Sequence, residues 1–249
     1  MIAKDTNNSA AKPSTPAPAP PPESARPSTH LRDVETWIFD LDNTLYSATI
    51  DLFRQIDERM RGYIAAFLGL PIDNAYALQK QYFKEYGTSL RGLMHVHGME
   101  PEPYLAHVHD IDVSVLPADP ALEAALAALP GRKLIYTNAS TEHAVRVMTQ
   151  LGVAHHFDAV FDIVEAAYQP KPEPAPYGSL VSRFGLDPRA TVMVEDMARN
   201  LAPAAAMGMI TAWVRTGSEL GEVGATTVRI DHTIDDLVVW LEEVGASRR

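Results

Sequence analysis

The sequence predicts an α/β protein: a doubly wound parallel sheet that carries a helical subdomain inserted after its first strand. Two observations lead to this fold class. From residue 133 onward, short apolar runs of strand type alternate with helical runs, and most of the helical runs stop at a glycine. Such alternation builds a parallel sheet with helices on both faces. The segment between the first two strands, residues 46–118, is far longer than one crossover connection requires, so we expect it to fold as a helical unit over the sheet.

The strands are predicted from short runs rich in β-branched and aromatic residues. The first covers residues 34–39 and ends abruptly in two acids. The others are expected at residues 133–137, 159–164, 191–195 and 211–214, and the sequence allows a last edge strand at 228–231.

The helices are predicted from apolar residues at helical spacing and from their start and stop residues. In the insertion, one helix ends before Gly69 and a second runs from Asp73 to about residue 86. A loop at residues 88–92 and shorter helical pieces follow. The remaining helices are expected at residues 119–129, 141–151, 177–184 and 201–207, and in a C-terminal segment opened by a capping box at Thr233 and Asp236.

This pattern divides the chain into three parts. Residues 1–31 contain seven of the 19 prolines, interleaved with Ala, Ser and Thr. Such a segment buries too little apolar surface to offset its chain entropy, so we expect a disordered tail. Residues 32–45 and 119–249 are predicted to form the sheet domain, and residues 46–118 the helical subdomain, called the cap below.

The composition excludes several classes of function. The formal net charge of −11 disfavours a nucleic acid polymer as partner, because its phosphates would be repelled. The absence of cysteine excludes disulfides, thiolate catalysis and zinc–thiolate sites. No apolar run approaches a membrane span, and the N-terminal residues lack the hydrophobic core of a signal peptide. We therefore expect a cytoplasmic protein that acts on a small molecule, as a monomer or a homodimer.

Two carboxylates follow the first predicted strand. Asp40 and Asp42 are separated by one residue, and alternate residues of a strand point to the same side. Two like charges so close together are unfavourable unless a cation lies between them or one of them stays protonated. The pair therefore suits a Mg²⁺ site beside a nucleophilic carboxylate. Taken alone, the pair is also typical of a strand end where one acid caps a turn and the other faces solvent.

Further polar residues follow the later strands of the predicted sheet. In open parallel sheets, ligands collect at the carboxyl ends of the strands. The second strand ends in Thr137 and Asn138, and Lys171 follows the third within a proline-fixed loop. The fourth ends in Glu195 and Asp196. Each of these features alone is common in turns and helix caps, but their joint occurrence at one sheet edge predicts an active site.

These motifs, in this order, resemble those of the haloacid dehalogenase superfamily. The resemblance spans about residues 34–245 and rests on Asp-Leu-Asp-Asn-Thr-Leu-Tyr, Tyr-Thr-Asn, Pro-Lys-Pro and Val-Glu-Asp. Within the superfamily the chain is similar to the pyrimidine 5′-nucleotidase-like branch. The runs that carry this closer similarity begin at Asp42, Tyr86, Val108 and Arg132.

The resemblance implies a role for the carboxylates. Asp40 would attack phosphorus and form an aspartyl-phosphate. Asp42 would protonate the leaving oxygen and later activate water. Mg²⁺ would be held by the Asp40 carboxylate, the Asp42 backbone carbonyl and Asp196. Glu195 would orient a metal-bound water rather than bind the metal itself.

It also implies how the transferring phosphoryl oxygens are held. Thr137, the amide of Asn138 and Lys171 would contact them, and Lys171 would keep Asp40 ionised. The chain departs from the family at Glu195, where Asp or Gly is frequent, and at Met197, where Ser is frequent. We expect both departures to affect metal affinity and to leave catalysis intact.

Substrate choice is expected in the cap. Arg91, in a glycine-flanked segment, is a candidate for contacting the substrate, and a solvated surface arginine is the alternative. Tyr46 is placed to flank the leaving group or to pack in the core. The pairs His95/His97 and His107/His109 invite a metal interpretation, which helical geometry disfavours because residues two apart diverge.

The resemblance and the residues together predict a Mg²⁺-dependent phosphatase for a small phosphomonoester, specifically a pyrimidine nucleoside 5′-monophosphate. The alternative within enzymes is a phosphatase for another metabolite, such as a sugar phosphate or a lysophospholipid-like monoester. Dehalogenation is disfavoured because it does not need the second acid, Asp42. A phospho-accepting signalling domain and a non-catalytic binding protein on the same fold are the alternatives from other classes.

Overall fold

A computed structural model describes residues 31–50 and 52–247, and these contain a six-stranded, entirely parallel sheet. The strands stand in the order β3-β2-β1-β4-β5-β6, so the first strand is central. The predicted α/β class with a doubly wound sheet is confirmed. The predicted N-terminal tail lies outside the described residues, apart from Leu31. The strands are β1 (Thr36–Phe39), β2 (Arg132–Tyr136), β3 (Ala159–Phe161), β4 (Thr191–Glu195), β5 (Ile210–Val214) and β6 (His232–Ile234).

Five of the described helices lie between β1 and β2, four of them in the insertion and the fifth directly before β2, and the others connect or follow the later strands. Among the described residues, no helix has the length and apolar character that crossing a bilayer demands. The helices are α1 (Leu52–Leu68), α2 (Ile72–Tyr86), α3 (Ser89–His97), α4 (Pro101–Val108), α5 (Pro120–Ala128), α6 (Thr141–Leu151), α7 (Pro174–Phe184), α8 (Leu201–Met207), α9 (Glu219–Glu222) and α10 (Leu237–Ser247).

The sheet is buried on both faces by helices. Alternate residues of β1 belong to different apolar clusters: Trp37 and Phe39 face one cluster, and Ile38 faces the other. Helices α5, α6 and α10 cover the first face, and α7 and α8 cover the second. Because both faces of the sheet are packed, the apolar residues of β1, Trp37–Phe39, are consecutive and do not alternate with polar ones.

The inserted helices have an apolar cluster of their own. It includes Ile64 of α1, Tyr82 of α2, Leu93 of α3 and Tyr104 of α4, together with Ile163 after β3. Helix α1 also contributes Leu52 and Ile56 to the cluster on the sheet. The insertion therefore packs internally and is anchored to the sheet through α1. Its extent as a separate subdomain over residues 46–118 stays a prediction.

The prediction of a loop at residues 88–92 is wrong. Helix α3 begins at Ser89, because the Thr88 side chain accepts a hydrogen bond from the Arg91 amide and so caps the helix. Gly98 closes the helix in the left-handed conformation. Arg91 is consequently held on a helix.

The predicted C-terminal boundaries are also wrong. The last strand is His232–Ile234 rather than residues 228–231, and it pairs with β5. Directly before this strand, the Asp231 carboxylate accepts a hydrogen bond from the Thr211 amide of β5. Thr233 is therefore a strand residue, and α10 begins only at Leu237, capped by the Asp236 carboxylate on the Val239 amide.

Two further boundaries differ from the prediction near the third strand. Strand β3 ends at Phe161 rather than at residue 164, because the Asp162 carboxylate accepts hydrogen bonds from the amides of Val164 and Glu165. Helix α7 begins three residues earlier than predicted, at Pro174. A proline fits there because the first helical N–H groups have no helical acceptor.

Candidate active site

The predicted site residues lie at the carboxyl edge of the sheet. Asp40 directly follows β1, and its amide donates to the Val194 carbonyl of β4 at 2.9 Å. Thr137 directly follows β2 on the other side of β1, and its amide donates to the Phe161 carbonyl at 3.1 Å. Strands β2 and β3 lie on one side of β1, and β4, β5 and β6 lie on the other. The direction in which successive strands are added to the sheet therefore reverses at this point. Such a crevice is where open parallel sheets bind ligands.

Lys171 connects two of the acids. Its ammonium donates to Asp40 Oδ1 at 2.6 Å, to Glu195 Oε2 at 2.6 Å and to the Tyr136 carbonyl at 2.9 Å. These acceptors use all three of its hydrogens. Burial lowers the pKa of Lys171, but the charges of Asp40 and Glu195 outweigh burial and raise it above its usual value. Lys171 is therefore a fixed positive charge beside Asp40.

Three carboxylates crowd this single lysine. Asp40, Glu195 and Asp196 each offer an oxygen, and these oxygens lie within 4.8 Å of one another. Burial, followed by the charge of Glu195, raises the pKa of Asp40 to about 7 and that of Asp196 to about 10. Excess buried negative charge and an all-oxygen set of donors suit a hard divalent cation. The cluster can therefore hold such an ion.

Glu195 is engaged through both of its oxygens. Oε2 accepts from Lys171, and Oε1 accepts from Asn200 Nδ2 at 3.1 Å and from the Met197 amide at 3.3 Å. The contact at position 197 comes from the main chain, so it does not depend on the methionine side chain. Glu195 thus lies within the group of candidate metal ligands while protein donors fix its orientation.

Asp42 is held apart from that cluster. Its Oδ1 accepts from His143 Nε2 at 2.9 Å and from the Tyr46 hydroxyl at 2.7 Å. Burial raises the pKa of Asp42, but the contacts with His143 and Tyr46 outweigh burial and leave it below its usual value. The two acids that follow β1 are therefore in different environments, and different environments give paired carboxylates different roles.

His143 is a site residue that sequence reasoning missed. It lies in the first turn of α6, directly after the Thr137 strand end, and is fully buried. Its ring stacks on His109, with centroids 4.6 Å apart and planes inclined by 20°. Burial, followed by His143, lowers the pKa of His109 to about 3. The available signal was a histidine just after a strand end at the predicted site edge.

Polar side chains also complete the surroundings of Asp40 and Lys171. Thr44 donates its hydroxyl to Asp40 Oδ2 at 2.9 Å. Asn138 Oδ1 accepts from the Lys171 amide at 2.8 Å and so positions the loop that carries the lysine. The Thr137 hydroxyl accepts from the Ala139 amide at 3.0 Å. Thr137, Asn138 and Lys171 are thus brought together with Asp40 at one edge.

The two other predicted substrate residues are engaged by protein groups, Tyr46 at the site and Arg91 outside it. The Tyr46 side chain is buried, and its hydroxyl is used by Asp42. Arg91 forms an ion pair with Glu173 at 2.5 Å and lines a separate pocket of about 200 Å³ between α2, α3 and the Lys171 loop. The structure does not bring Arg91 into the carboxylate cluster.

Among the described residues, none of the histidines considered as metal ligands belongs to a group of three or more side chains that could hold an ion. His95 and His97 contact Tyr86 and Tyr82, and His107 contacts Tyr63. A different group of metal-ligand type is formed by Glu123, His155 and His156, which is partly exposed near the start of β3. Because strands start at the amino edge of the sheet, this group is remote from Asp40.

A cavity of about 330 Å³ lies between the carboxyl edge and the inserted helices. Its floor is polar and includes Asp40, Asp42, Lys171 and Asp196. Most of its roof is apolar, with charged or amide groups at a few points; the roof includes Phe53, Asp57, Met60, Gln79, Lys80, Phe83 and Tyr104. A small ligand could therefore place an anionic group on the floor and a larger, less polar group under the helices.

Curated relatives match much of the chain at low identity. The "Phosphate metabolism protein 8" of Saccharomyces cerevisiae is 28% identical over 212 residues, which is 78% of this chain and 63% of that protein. The chain therefore spans less than two thirds of that relative. A "Phosphoglycolate phosphatase" of Yersinia pseudotuberculosis is 26% identical over 201 residues, 76% of this chain and 84% of the relative.

Solved structures share the fold. A phosphatase of Thermococcus onnurineus aligns with a TM-score of 0.61 and 19% identity, over 87% of this chain and all of that one. An L-2-haloacid dehalogenase of Xanthobacter autotrophicus aligns with a TM-score of 0.53 and 19% identity, over 85% and 98% of the two chains. A family model described as haloacid dehalogenase-like hydrolase matches residues 34–208, which include the Asp40, Lys171 and Asp196 motifs. This chain belongs to the haloacid dehalogenase-like hydrolases.

Proposed function

We propose that this hydrolase is a Mg²⁺-dependent phosphatase that acts on a small phosphomonoester through an aspartyl-phosphate on Asp40. One observation carries the proposal. A second carboxylate, Asp42, stands beside the Lys171–Asp40–Glu195 network but is held outside it by His143 and Tyr46. Phosphoryl transfer needs such a separate acid and base, and dehalogenation does not.

In the first displacement, an Asp40 oxygen bonds to phosphorus while the bond to the leaving oxygen breaks. The ion pair with Lys171 favours the ionised, nucleophilic form of Asp40. Asp42 gives its proton to the leaving oxygen as that bond breaks. The depressed pKa of Asp42 describes the site without substrate, and a bound anionic phosphate raises it because a nearby negative charge disfavours a second one.

In the second displacement, water attacks the aspartyl-phosphate and Asp42 takes a proton from that water. The bond between phosphorus and Asp40 breaks, so inorganic phosphate and the original carboxylate are released. Thr137, the main-chain amide of Asn138 and the Lys171 ammonium are proposed to hold the phosphoryl oxygens. Lys171 is already within 2.6 Å of the attacking carboxylate.

The Asp40 and Asp196 carboxylates and the Asp42 carbonyl are proposed to hold Mg²⁺, with Glu195 oriented beside them. A bound divalent ion supplies positive charge that stabilises the phosphoryl oxygens in the transition state. The raised pKa values of Asp40 and Asp196 support a cation at this position, because the residues present leave negative charge uncompensated.

For the substrate we propose a pyrimidine nucleoside 5′-monophosphate, on the sequence similarity to that branch. The cavity supports a leaving group larger than its phosphate, since the apolar roof lies over a polar floor. A sugar phosphate or a lysophospholipid-like monoester is the alternative, and the name of the Yersinia relative adds phosphoglycolate to the panel. A cytoplasmic location and a monomeric or homodimeric state remain part of the proposal.

The test is hydrolysis of a panel of phosphomonoesters with Mg²⁺, including an aryl phosphate, UMP, CMP, sugar phosphates and phosphoglycolate. We expect release of free phosphate that stops on chelation, and loss of essentially all hydrolysis in Asp40→Asn, which removes the nucleophile and keeps its shape. Circular dichroism of the variant should match the wild type.

The controls separate this function from the alternatives. A 2-haloacid is included as a counter-substrate, and chloride release with no phosphate release would identify a dehalogenase. A phosphoenzyme that persists without turnover would indicate a signalling domain. Preference for UMP or CMP would support the nucleotidase claim, and indifference among esters would reduce it to a general phosphatase.

A further inference from the structure

The two oxygens of the Asp42 carboxylate are in different situations. Oδ1 accepts hydrogen bonds from His143 at 2.9 Å and from Tyr46 at 2.7 Å. A carboxylate oxygen has two lone pairs, so these donors saturate Oδ1. Oδ2 has no hydrogen-bond donor within the part of the chain that the structure describes, and Asp42 lines the cavity. Only Oδ2 is therefore free to exchange a proton with a ligand.

The His143 donor is fixed by its surroundings. Its ring stacks on His109, whose Nδ1 lies 3.1 Å from Ser140 Oγ, and the same hydroxyl accepts from the His143 amide at 3.4 Å. His143 Nδ1 is buried and has no partner among the described residues. A buried nitrogen without a hydrogen-bond partner destabilises the fold. A histidine kept there at that penalty, with Nε2 on Asp42, indicates a task for Nε2.

The Tyr46 donor comes from a different element of the chain. Tyr46 follows β1 four residues after Asp42, whereas His143 comes from α6, 101 residues further along the chain. The Tyr46 hydroxyl is the donor in this contact, because a carboxylate oxygen only accepts. Two donors on separate elements therefore fix the plane of the Asp42 carboxylate.

We propose that His143 and Tyr46 are positioning residues, which hold Asp42 Oδ1 and so direct Oδ2 at the leaving oxygen of the substrate. This inference rests on the proposed phosphatase function. In the first displacement, the proton leaves Oδ2 for the bridging oxygen as the bond from that oxygen to phosphorus breaks. In the second, Oδ2 regains a proton from the attacking water. His143 and Tyr46 keep their own protons throughout.

The test compares two substrates of the same enzyme. An aryl phosphate has a good leaving group that needs little protonation, whereas an alkyl phosphate depends on the acid. The parameter kcat/KM covers only the steps up to the first irreversible one, which here is departure of the leaving group. It therefore reports the acid role of Asp42 and does not include the later attack of water. In His143→Phe we expect kcat/KM for the alkyl phosphate to fall about 100-fold, which is the scale of general acid catalysis. We expect kcat/KM for the aryl phosphate to fall less than about 5-fold.

Two further variants separate positioning from folding. His143→Gln places an amide N–H where Nε2 stood, and it should recover at least about 10-fold of the alkyl phosphate activity lost in His143→Phe. Tyr46→Phe removes the other donor with little change in volume and should show the same bias between substrates. The matched control is His156→Phe at the remote edge, which should leave both rates unchanged.

The outcomes are distinguishable. If the wild type releases phosphate from both substrates and the His143 and Tyr46 variants lower the two rates equally, or not at all, the positioning role is wrong and the phosphatase stands. If the wild type hydrolyses neither ester with Mg²⁺, both proposals are wrong. A Phe variant that fails to fold leaves the Gln and Tyr46 variants to decide.

Discussion

At the residue scale, one buried ammonium faces three buried carboxylates. The folded chain holds Asp40 with a pKa of about 7 and Asp196 with a pKa of about 10, against 3.8 for the ordinary side chain. A carboxyl group whose pKa is raised by folding binds protons that the unfolded chain has lost. The contribution to stability therefore falls as the pH rises from about 4, towards about 7 for Asp40 and towards about 10 for Asp196. A divalent cation would remove this penalty by compensating the charge.

This charge balance predicts a pH-dependent effect of Mg²⁺ on stability. We expect Mg²⁺ at about 100 times its Kd to raise the free energy of unfolding by about 2.7 kcal/mol near neutral pH, a shift of about 5–10 °C in Tm. The shift should be smaller near pH 5, where protons compete with the ion for Asp40 and Asp196. Thermal unfolding in chelator and in Mg²⁺, at both pH values, measures it.

The comparison needs variants because other groups also titrate in this range. Asp196→Asn should lose most of the Mg²⁺ effect, while Asp73→Asn, an exposed acid in α2, should keep all of it. Equal Mg²⁺ shifts at the two pH values in the wild type would show that these carboxylates do not bind the ion.

At the element scale, the packing of α3 against α2 depends on one glycine. A Cβ on Gly92 would lie 2.5 Å from Tyr82 Cβ and Cγ, closer than real carbon atoms approach. Tyr82 is buried and donates to or accepts from His97 Nε2 at 2.8 Å, so it has little room to move. Gly92 is thus required by close helix packing rather than by a special backbone angle.

We expect Gly92→Ala to lower the free energy of unfolding by about 1–3 kcal/mol, the usual effect of overpacking a core. Chemical denaturation measures it. Gly178→Ala is the matched control, because Gly178 is a helical glycine in α7 with nothing within 4 Å of its added Cβ. That control should be neutral or more stable by up to about 1 kcal/mol. A Gly92 variant as stable as the wild type would mean that α2 and α3 separate at no cost.

At the scale of the whole molecule, the site lies between the sheet and the inserted helices. Contacts that join them near the cavity include the Arg91–Glu173 ion pair, a hydrogen bond from Tyr168 to Glu102, and the Arg199 guanidinium 4.9 Å from the centre of the Phe83 ring. The ion pair is about one third exposed, so water screens it. The ion pair is therefore better suited to fix the position of the inserted helices relative to the sheet than to stabilise the fold.

This arrangement predicts that Arg91 and Glu173 act as a pair. Arg91→Ala and Glu173→Ala should each raise KM by up to about 5-fold, the scale of an exposed ion pair, and the double variant should be no worse than either single one. Steady-state kinetics on the best substrate measures this. A much larger effect for Arg91→Ala than for Glu173→Ala would show instead that the guanidinium contacts the substrate directly.

Much of the site was predictable because its residues follow strands. Apolar runs locate β1, β2 and β4, and in a parallel sheet the residues that follow them must meet at one edge. Asp40, Thr137 and Asp196 are therefore placed by local pattern alone. The same reasoning could not place β6, because the short segment 228–234 contains two runs that fit a strand, and only pairing with β5 selects the second.

The sequence by itself determined the fold class and the edge of the sheet at which the chemistry lies. It also determined the order in which the acids and the lysine follow one another in the chain. The tertiary structure alone decided which partners several side chains contact: His143 contacts Asp42, Glu173 contacts Arg91, and Glu195 contacts Lys171. Spacing along the chain reports the direction of a side chain within its own strand or helix. The distance between side chains on different elements depends on how those elements pack, and no local pattern encodes it.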